Sequence, residues 1–538
     1  MRRIKHPVLW ILALLGLSVF VWMSGPDETP VGQVTVTREA AGLQAADFLR
    51  SKGVSVERMM QTALYEGDSE MDAYLKRHGL HGEFAKQGGR RPLAYWAVTF
   101  FRPGKDSYTV YVDETSGRVL GYELIREAGP DEPLLSEQEA LALAKRELER
   151  HGVKTEKLVL AERGRAASRG NDSGAGQWRE YQFAWRDTSW HVGDSRLIYE
   201  VGITGDQVTA YWTDYEIPKA DQEWFAKQRT LGAILTGISL IGTILLVIFS
   251  LVVAFVYPRR EVDWQRGLAS GLVLLGVAVA TGLNEWPQAA TGIVGLDVPV
   301  DVTMWLTAAG MTALAVLSSG STYLTAVAGG VLQERLWPGK WLRWGDAGWP
   351  QRVRAAALRG YLLALVWLGV QAIFYWVSET YFDVWQENDF TMTPWNFLVP
   401  GLFPLLAWTA GIGEEITFRL LGIGLVKRYC RSTFLALLLP AMVWALAHSL
   451  YPVHPFYTRF VELTLLGMLI GWCFLRYDLE TVIFAHAIFD TVLMCLPLLF
   501  EGTWADRAWA VGWLLLPALI GRYSHLLQPK LVRQQAAA

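Results

Sequence analysis

The sequence predicts a polytopic α-helical membrane protein of about ten transmembrane helices, with an extracytoplasmic α+β region inserted after the first. Three observations predict it. Apolar runs of spanning length fill the chain from Leu231 onward, a polar stretch over residues 26–228 separates them from a first apolar run, and basic residues concentrate in alternate loops. With 538 residues, 52% hydrophobic and only 19% charged, the chain is too apolar for an ordinary soluble protein of this length. A formal net charge of −3 gives no global field for nucleic acid, so the lipid bilayer is the expected partner and nucleic acid is not.

The first element is a basic start, Arg2, Arg3 and Lys5, followed by an apolar run from Pro7 to Ser24. That run is long enough to span, and its exit, Val21-Trp22-Met23-Ser24-Gly25, fits a cleavage site poorly, so residues 1–25 read as an uncleaved anchor rather than a signal peptide.

Residues 26–228 carry two similar units, about 35–126 and 134–217. In the first, a helical pattern from Ala40 to Lys52 leads to alternating runs around Tyr95 to Phe100, Tyr108 to Val112 and Arg118 to Tyr122. In the second, Ser136-x-x-Glu139 is a capping box opening a helix through Arg150. Strand-like runs follow at Tyr181 to Trp185, Leu197 to Ile203 and Val208 to Trp212. Each unit reads as a helix and a three-stranded antiparallel meander. Strand, Asp- and Gly-containing turn and last strand together resemble the PepSY module. That resemblance implies a module outside the membrane that binds a peptide ligand or restrains a protease; a small spacer without ligand is the alternative.

The remaining apolar runs lie near 231–257, 265–283, 303–333, 355–378, 396–426, 432–449, 460–475, 480–499 and 506–521. Two of these, 303–333 and 396–426, exceed the ~20 residues a span needs by the widest margin, so tilt, a break or extension into water is expected there. With a cytoplasmic N-terminus, the cytoplasmic loops hold Arg259, Arg260 and Arg266, then Arg335, Lys340, Arg343, Arg352 and Arg354, then Lys427, Arg428 and Arg431, and finally Arg522 and Lys530. The opposite loops hold Glu285, Asp297 and Asp301, then Glu379, Asp383, Glu387 and Asp389. The bias follows the positive-inside rule for a bacterial cell membrane with both termini cytoplasmic. Residues 229–385 are thus further helices, 386–523 a helical core with the candidate chemistry, and 524–538 a cytoplasmic tail. Cys430, Cys473 and Cys495 fall in or beside apolar segments without metal or redox spacing and read as packing residues.

Ionisable side chains at membrane depth are costly, so they are functional candidates by default. Glu414 and Glu415 are adjacent in an apolar segment. Glu415 and Arg419 are four apart and can pair on one helix face, whereas Glu414 points elsewhere, which suits a general base acting on water. Trp444-x-x-x-His448 ends the next helix, and His486-x-x-x-Asp490 shares one face of a later one, as two ligands of one ion or an imidazole oriented by a carboxylate. His454 and Arg459 fall in a short outer loop and are expected to be solvated.

Glu-Glu-x-x-x-Arg, aromatic-x-x-x-His and His-x-x-x-Asp, in order on membrane helices over about residues 396–500, resemble the CAAX prenyl endopeptidase and bacteriocin-processing (CPBP or Abi) family. The resemblance implies an intramembrane endopeptidase acting on a membrane-associated protein or peptide substrate. It assigns water activation to Glu414 and His448, metal binding or oxyanion stabilisation to His486 and Asp490, and structural support to Glu415 and Arg419. Trp444 stands where phenylalanine is commoner, Leu420 where glycine is usual, and Asp490 where the prenyl endopeptidases have asparagine. An ionised aspartate is a poor oxyanion donor but a good metal ligand, so a divalent metal, zinc by its donors, is expected on Glu414, His448, His486 and Asp490. A non-catalytic immunity or signalling protein and a proton-coupled transporter are the competing classes.

Depth poses one difficulty. Counted at 1.5 Å per residue, Glu414 lies ~27 Å down its run and His448 ~24 Å along the next, so straight helices would separate them. A break near Gly411 to Gly413, helped by Pro400 and Pro404, is expected to bring them together.

Overall fold

The structure, a computed structural model, describes residues 6–23, 34–87, 91–102, 106–125, 135–165, 180–265, 267–292, 294, 300–342, 344–346 and 348–527. Arg2, Arg3, Lys5, Arg266, Asp297, Arg343 and Lys530 lie outside the described residues, as does the tail beyond Leu527.

After helix α1 (His6–Met23) the chain builds a single eight-stranded sheet. Its first unit contains α2 (Arg38–Ser51), β1 (Met60–Gly67), α3 (Ser69–His78), α4 (His81–Gln87), β2 (Ala94–Phe101), β3 (Ser107–Asp113) and β4 (Val119–Ile125). The second contains α5 (Glu137–Arg150), β5 (Leu158–Arg165), β6 (Glu180–Val192), β7 (Ser195–Thr204) and β8 (Gln207–Glu216). The order β1-β2-β3-β4-β8-β7-β6-β5 is antiparallel throughout, and the two units meet through their last strands, Tyr122 opposite Tyr211. Each unit therefore has four strands, one more than expected, with α5 the one described α-helix of the second unit and α3 and α4 added between β1 and β2 of the first. The extra strands are β1 and β5: Met60-Gln61-Thr62-Ala63-Leu64 breaks period two, and β5 ends in Glu162-Arg163-Gly164-Arg165.

Thr37 caps α2, accepting from the Ala40 N–H, and the Ser136–Glu139 capping box of α5 forms in both directions. The helices cover one sheet face, where Leu49 and Leu148 join Trp96, Val98, Val110, Phe183, Tyr199 and Val201 in one buried core. Each such aliphatic or phenyl side chain contributes about 1.5–3 kcal/mol.

The helical part begins with α6 (Lys219–Val256), 38 residues and so ~57 Å long, nearly twice the hydrocarbon thickness. Its first turns belong to the sheet domain, with Asp221 bonded to Arg77 and His78 and Phe225 inside the sheet's core. Then follow α7 (Leu268–Asn284), α8 (Trp286–Thr291), α9 (Val300–Leu336) and α10 (Trp349–Tyr381). Across the lower half of the chain run α11 (Leu405–Glu414), a π-helical segment (Glu415–Ile423), α12 (Gly424–Cys430), α13 (Thr433–Leu446), α14 (Thr458–Arg476), α15 (Leu479–Phe500) and α16 (Trp504–Tyr523). Among the described residues six helices are long and apolar enough to cross a membrane, and α1, α7 and α13 are shorter apolar helices, which makes this an integral membrane protein. Gly16 of α1 lies so close to α10 that a Cβ there would meet the Leu365 carbonyl oxygen, so the anchor helix is packed into the bundle.

The 303–333 run sits inside unbroken α9, whereas the 396–426 run is not one helix. Residues 394–402 form two single 3₁₀ turns around Pro394 and Pro400, and helix begins only at Leu405. This irregular stretch docks on the sheet. Asn396 accepts from Tyr65 N (2.7 Å) and donates to Tyr65 O (2.9 Å), so one side chain occupies both backbone groups of a residue on the edge strand β1. Arg38 donates to the carbonyls of Trp395 and Phe397, and Phe390 and Trp395 enter the sheet's core. Asn396→Ala is expected to take this partner from the buried Tyr65 N–H, Tyr65 carbonyl and Phe390 carbonyl, at about 1–3 kcal/mol for each group left unpaired. In hydrogen exchange on the full-length protein, the Tyr65 amide should exchange at least tenfold faster while Val201 in β7 is unchanged.

Candidate active site

Glu414 closes α11 at a point where its neighbour can come unusually close. Gly411 packs on α15, and a Cβ on it would stand 3.0 Å from Ala487 N, beside His486. This is the reason for the glycine; no break occurs at Gly411 to Gly413, contrary to expectation, because α-helix continues through Glu414. The depth difficulty is removed elsewhere. With helix starting at Leu405, Glu414 lies only ~14 Å along it, and α13, at 14 residues, stops short of a full span.

From Glu415 to Ile423 the backbone is π-helical and every residue is buried. Such segments are rare and cluster at functional sites. Glu415 Oε1 stands 3.1 Å from Arg419 Nη1, the expected pair, and also 2.7 Å from His486 Nδ1. The Arg419 guanidinium lies 4.3 Å over the Trp444 ring. Side-chain exposure separates the two glutamates: Glu415 and Arg419 are sealed at 0% and 2%, whereas Glu414 and Asp490 stay open at 27% and 22%. The open pair can meet a substrate; the sealed pair cannot.

His486 lies between the carboxylates. Its Nε2 is 3.3 Å from Asp490 Oδ2 and 3.9 Å from Glu414 Oε2, while Nδ1 is held by Glu415. His448 lies two residues beyond α13, its Nδ1 2.9 Å from the Trp444 carbonyl oxygen, which leaves Nε2 for the site. Trp444 joins the parts: its indole N–H donates to Glu414 Oε2, and its ring is edge-on to both His448 and His486, with centroids 5.3 and 5.8 Å away. The structure thus gathers all six of the residues singled out from the sequence.

Trp444 was legible only as an aromatic in a motif. A phenylalanine there has no N–H, so the hydrogen bond to Glu414 belongs to the substitution; its position one turn before His448 is the signal that places it in the site. Of the two residues expected to be solvated, His454 is buried and Arg459 half-buried, and both are paired. His454 is paired with Glu387 (3.1 Å) and stacked on Trp385, in the short ladder of β9 (Trp385–Gln386) with β10 (Val453–His454). Arg459 belongs to the first turn of α14 and donates to Glu462 (2.7 Å) and the Tyr375 hydroxyl (3.2 Å). The loop between α13 and α14, short in sequence, is roofed here by the sheet domain and the first turns of α6, which no local pattern announces.

The donor set is poorly arranged for a metal. Both ring nitrogens of His486 face carboxylate oxygens, the arrangement of a ring that donates from each and keeps no lone pair for an ion. Among the described residues no group of three or more His, Cys, Asp or Glu side chains is spaced to hold one ion. In this arrangement the residues do not fit zinc, and no step below is routed through it.

A family model described as type II CAAX prenyl endopeptidase Rce1-like matches residues 394–492, the span of all three motifs. The chain is also 24% identical over 342 residues to the sporulation-killing factor biosynthesis protein SkfC of Bacillus subtilis (strain 168). That match covers 62% of this chain and 66% of the relative, so the chain spans just under two thirds of that protein's length. No solved structure matches. Residues 394–492 therefore form a domain of the Rce1-like CAAX prenyl endopeptidase family, a family of proteases, set within an integral membrane protein.

Proposed function

We propose that the protein is an intramembrane endopeptidase that hydrolyses a peptide bond in a membrane-associated protein or peptide. The observation that carries this reading is the convergence of an accessible Glu414 with His486 and Asp490 inside a buried helical bundle. Glu414 takes a proton from water, and His448, oriented by the Trp444 carbonyl, holds that water from the other side. The resulting hydroxide attacks the substrate carbonyl. His486, donating from Nε2, stabilises the developing oxyanion, with Asp490 and Glu415 balancing its charge. Glu414 then delivers the proton to the leaving amine as the C–N bond breaks. Glu415 and Arg419 fix His486 without touching substrate.

Charge at the helix ends supports an orientation with the sheet domain outside the cytoplasm. Lys340 donates to the carbonyls of Leu475 and Tyr477, and Arg352 and Arg359 surround Asp478, all at the helix ends remote from the sheet. With those basic ends cytoplasmic, both termini are cytoplasmic and residues 26–228 lie outside. The relative's role in biosynthesis of a killing factor is compatible with a peptide substrate.

The test is direct. Full-length protein reconstituted in lipid is incubated with membrane-anchored peptides and the products are weighed by mass spectrometry. Defined internal cuts support the reading, and intact peptides under all conditions end it. Cleavage is expected to survive chelators; loss on chelation with recovery on adding zinc would restore the metal reading. Trp444→Phe is expected to lower kcat about tenfold, the loss of one hydrogen bond to a charged group worth ~1.5 kcal/mol, because the ring still packs against both histidines. Cleavage assays of the variant against wild type check this.

A further inference from the structure

His448 stands just past the point where α13 ceases to be an α-helix. It lies two residues beyond the helix end, and its ring is oriented by the Trp444 carbonyl in the last turn. There the backbone tightens: the Ala447 and His448 N–H groups bond the carbonyls three residues back, Trp444 (3.2 Å) and Ala445 (3.0 Å). The Val443 carbonyl, which Ala447 would take in an α-helix, accepts from the Ser239 hydroxyl of α6 at 2.6 Å.

Ser239 belongs to a line of α6 residues set against this segment. Thr236 Oγ1 reaches the Leu446 carbonyl (3.5 Å), and the Gln228 side-chain oxygen accepts from the Phe456 N–H (2.9 Å). Between them Gly232 comes so near the Ser449 backbone that a Cβ would stand 2.5 Å from its carbonyl oxygen. Spacings of three and four put these residues on one helix face, and they hold the chain on both sides of His448. The same face continues into the sheet domain, where Phe225 enters the core and Asp221 bonds Arg77 and His78 at 2.7 and 3.0 Å. From Asp221 to Ser239 the buried residues of α6 are Asp221, Phe225, Gln228, Gly232 and Ser239, all of this one face.

We propose that Ser239 and Gly232 are positioning residues for His448: α6, seated at one end in the sheet domain, fixes the end of α13 and with it the point at which the imidazole meets water. The importance of that point rests on the hydrolytic reading, while the placing of the ring by α6 stands on the contacts alone. Ser239 holds the carbonyl adjacent to the one that orients His448. Gly232 sets how near the residue after His448 approaches α6. A methyl group at 232 has to push the Ser449 backbone away by about an ångström to reach ordinary contact, and a misplacement of that size can cost about 10²-fold in rate.

Two substitutions of the same kind make the test. Gly232→Ala and Gly237→Ala each add one methyl group to α6 and raise its helix propensity alike, but a Cβ at 237 meets nothing within 4 Å. Full-length protein with nitrogen-labelled histidine in lipid nanodiscs is observed by solid-state NMR, with the His448 signals assigned by their loss in His448→Gln. Cleavage of a membrane-anchored peptide is followed in parallel. Gly232→Ala is expected to shift the His448 signals and lower kcat about 10–100-fold with KM changed less than about twofold, whereas Gly237→Ala leaves all three at wild-type values. Ser239→Ala should shift the same signals and lower kcat about fivefold, the equivalent of one neutral hydrogen bond. If Gly232→Ala fails to fold, Ser239→Ala decides alone. His448 signals that stay in place, a kcat that holds while they shift or falls while they do not, or an equal response to Gly237→Ala overturns the proposal. Shifted His448 signals in a protein whose wild type cuts no peptide keep the placing of the ring by α6 and remove the hydrolytic reading, so the two failures are distinguishable.

Discussion

Glu414→Gln is expected to reduce peptide cleavage by about 10²–10⁴-fold, the usual contribution of a positioned general base. The substitution changes little else: the amide keeps an oxygen for the Trp444 N–H, and the residue is open to the site rather than sealed in the bundle. Unfolding temperature should therefore hold while kcat collapses. His448→Ala should lose a comparable factor, and the double variant little more than either alone, because the two residues act on one water. Turnover by Glu414→Gln at the wild-type rate would eliminate Glu414 as the base.

Arg419→Met should have the opposite profile, with a large loss of stability. It leaves Glu415, fully buried, with its negative charge shared only with His486, and breaking a buried pair in this way costs about 3–5 kcal/mol. Replacing both partners, Arg419→Met with Glu415→Met, should recover most of that stability, since no buried charge is then left uncompensated. Cleavage should not recover, because Glu415 also holds His486 Nδ1 at 2.7 Å. Chemical unfolding of the three proteins in detergent, set beside their cleavage rates, separates scaffolding from orientation. Double and single variants of equal stability would show that Glu415 and Arg419 do not form the pair described.

The site was more legible in the sequence than the route by which the backbone assembles it. Ionisable residues are so costly at membrane depth that Glu414, Arg419, His486 and Asp490 stand out from their apolar neighbours, and spacing of four places partners on one face. Hydropathy, however, has no mark for a π-helix: Glu415 to Ile423 reads as ordinary α-helix, yet it is π-helical and packs against α9, α13 and α15. The apolar stretch 396–404 likewise reads as the start of a span, yet its prolines and its pairing with β1 make it a docking segment. In the sheet, the capping box of α5 and the central strands carry clear local signals, while β1 and β5 lie at the two sheet edges, where the alternating pattern weakens. The pairing of His454 and Arg459 depends on partners at Glu387 and Tyr375, more than sixty residues away, and no local window contains them.

The hydrogen bonds between Tyr65 and Asn396 span 331 positions of the chain. Synthesis runs from the N-terminus, so the β1 margin is made long before the segment that covers it leaves the ribosome. Until the helices before α11 have been delivered to the bilayer, that margin offers its backbone to any extended chain nearby, the situation in which strands pair with the wrong neighbour. Maturation of the sheet domain is thereby timed by insertion of the membrane part, and a chain truncated before Asn396 would carry a complete sheet with its β1 border uncovered by that segment.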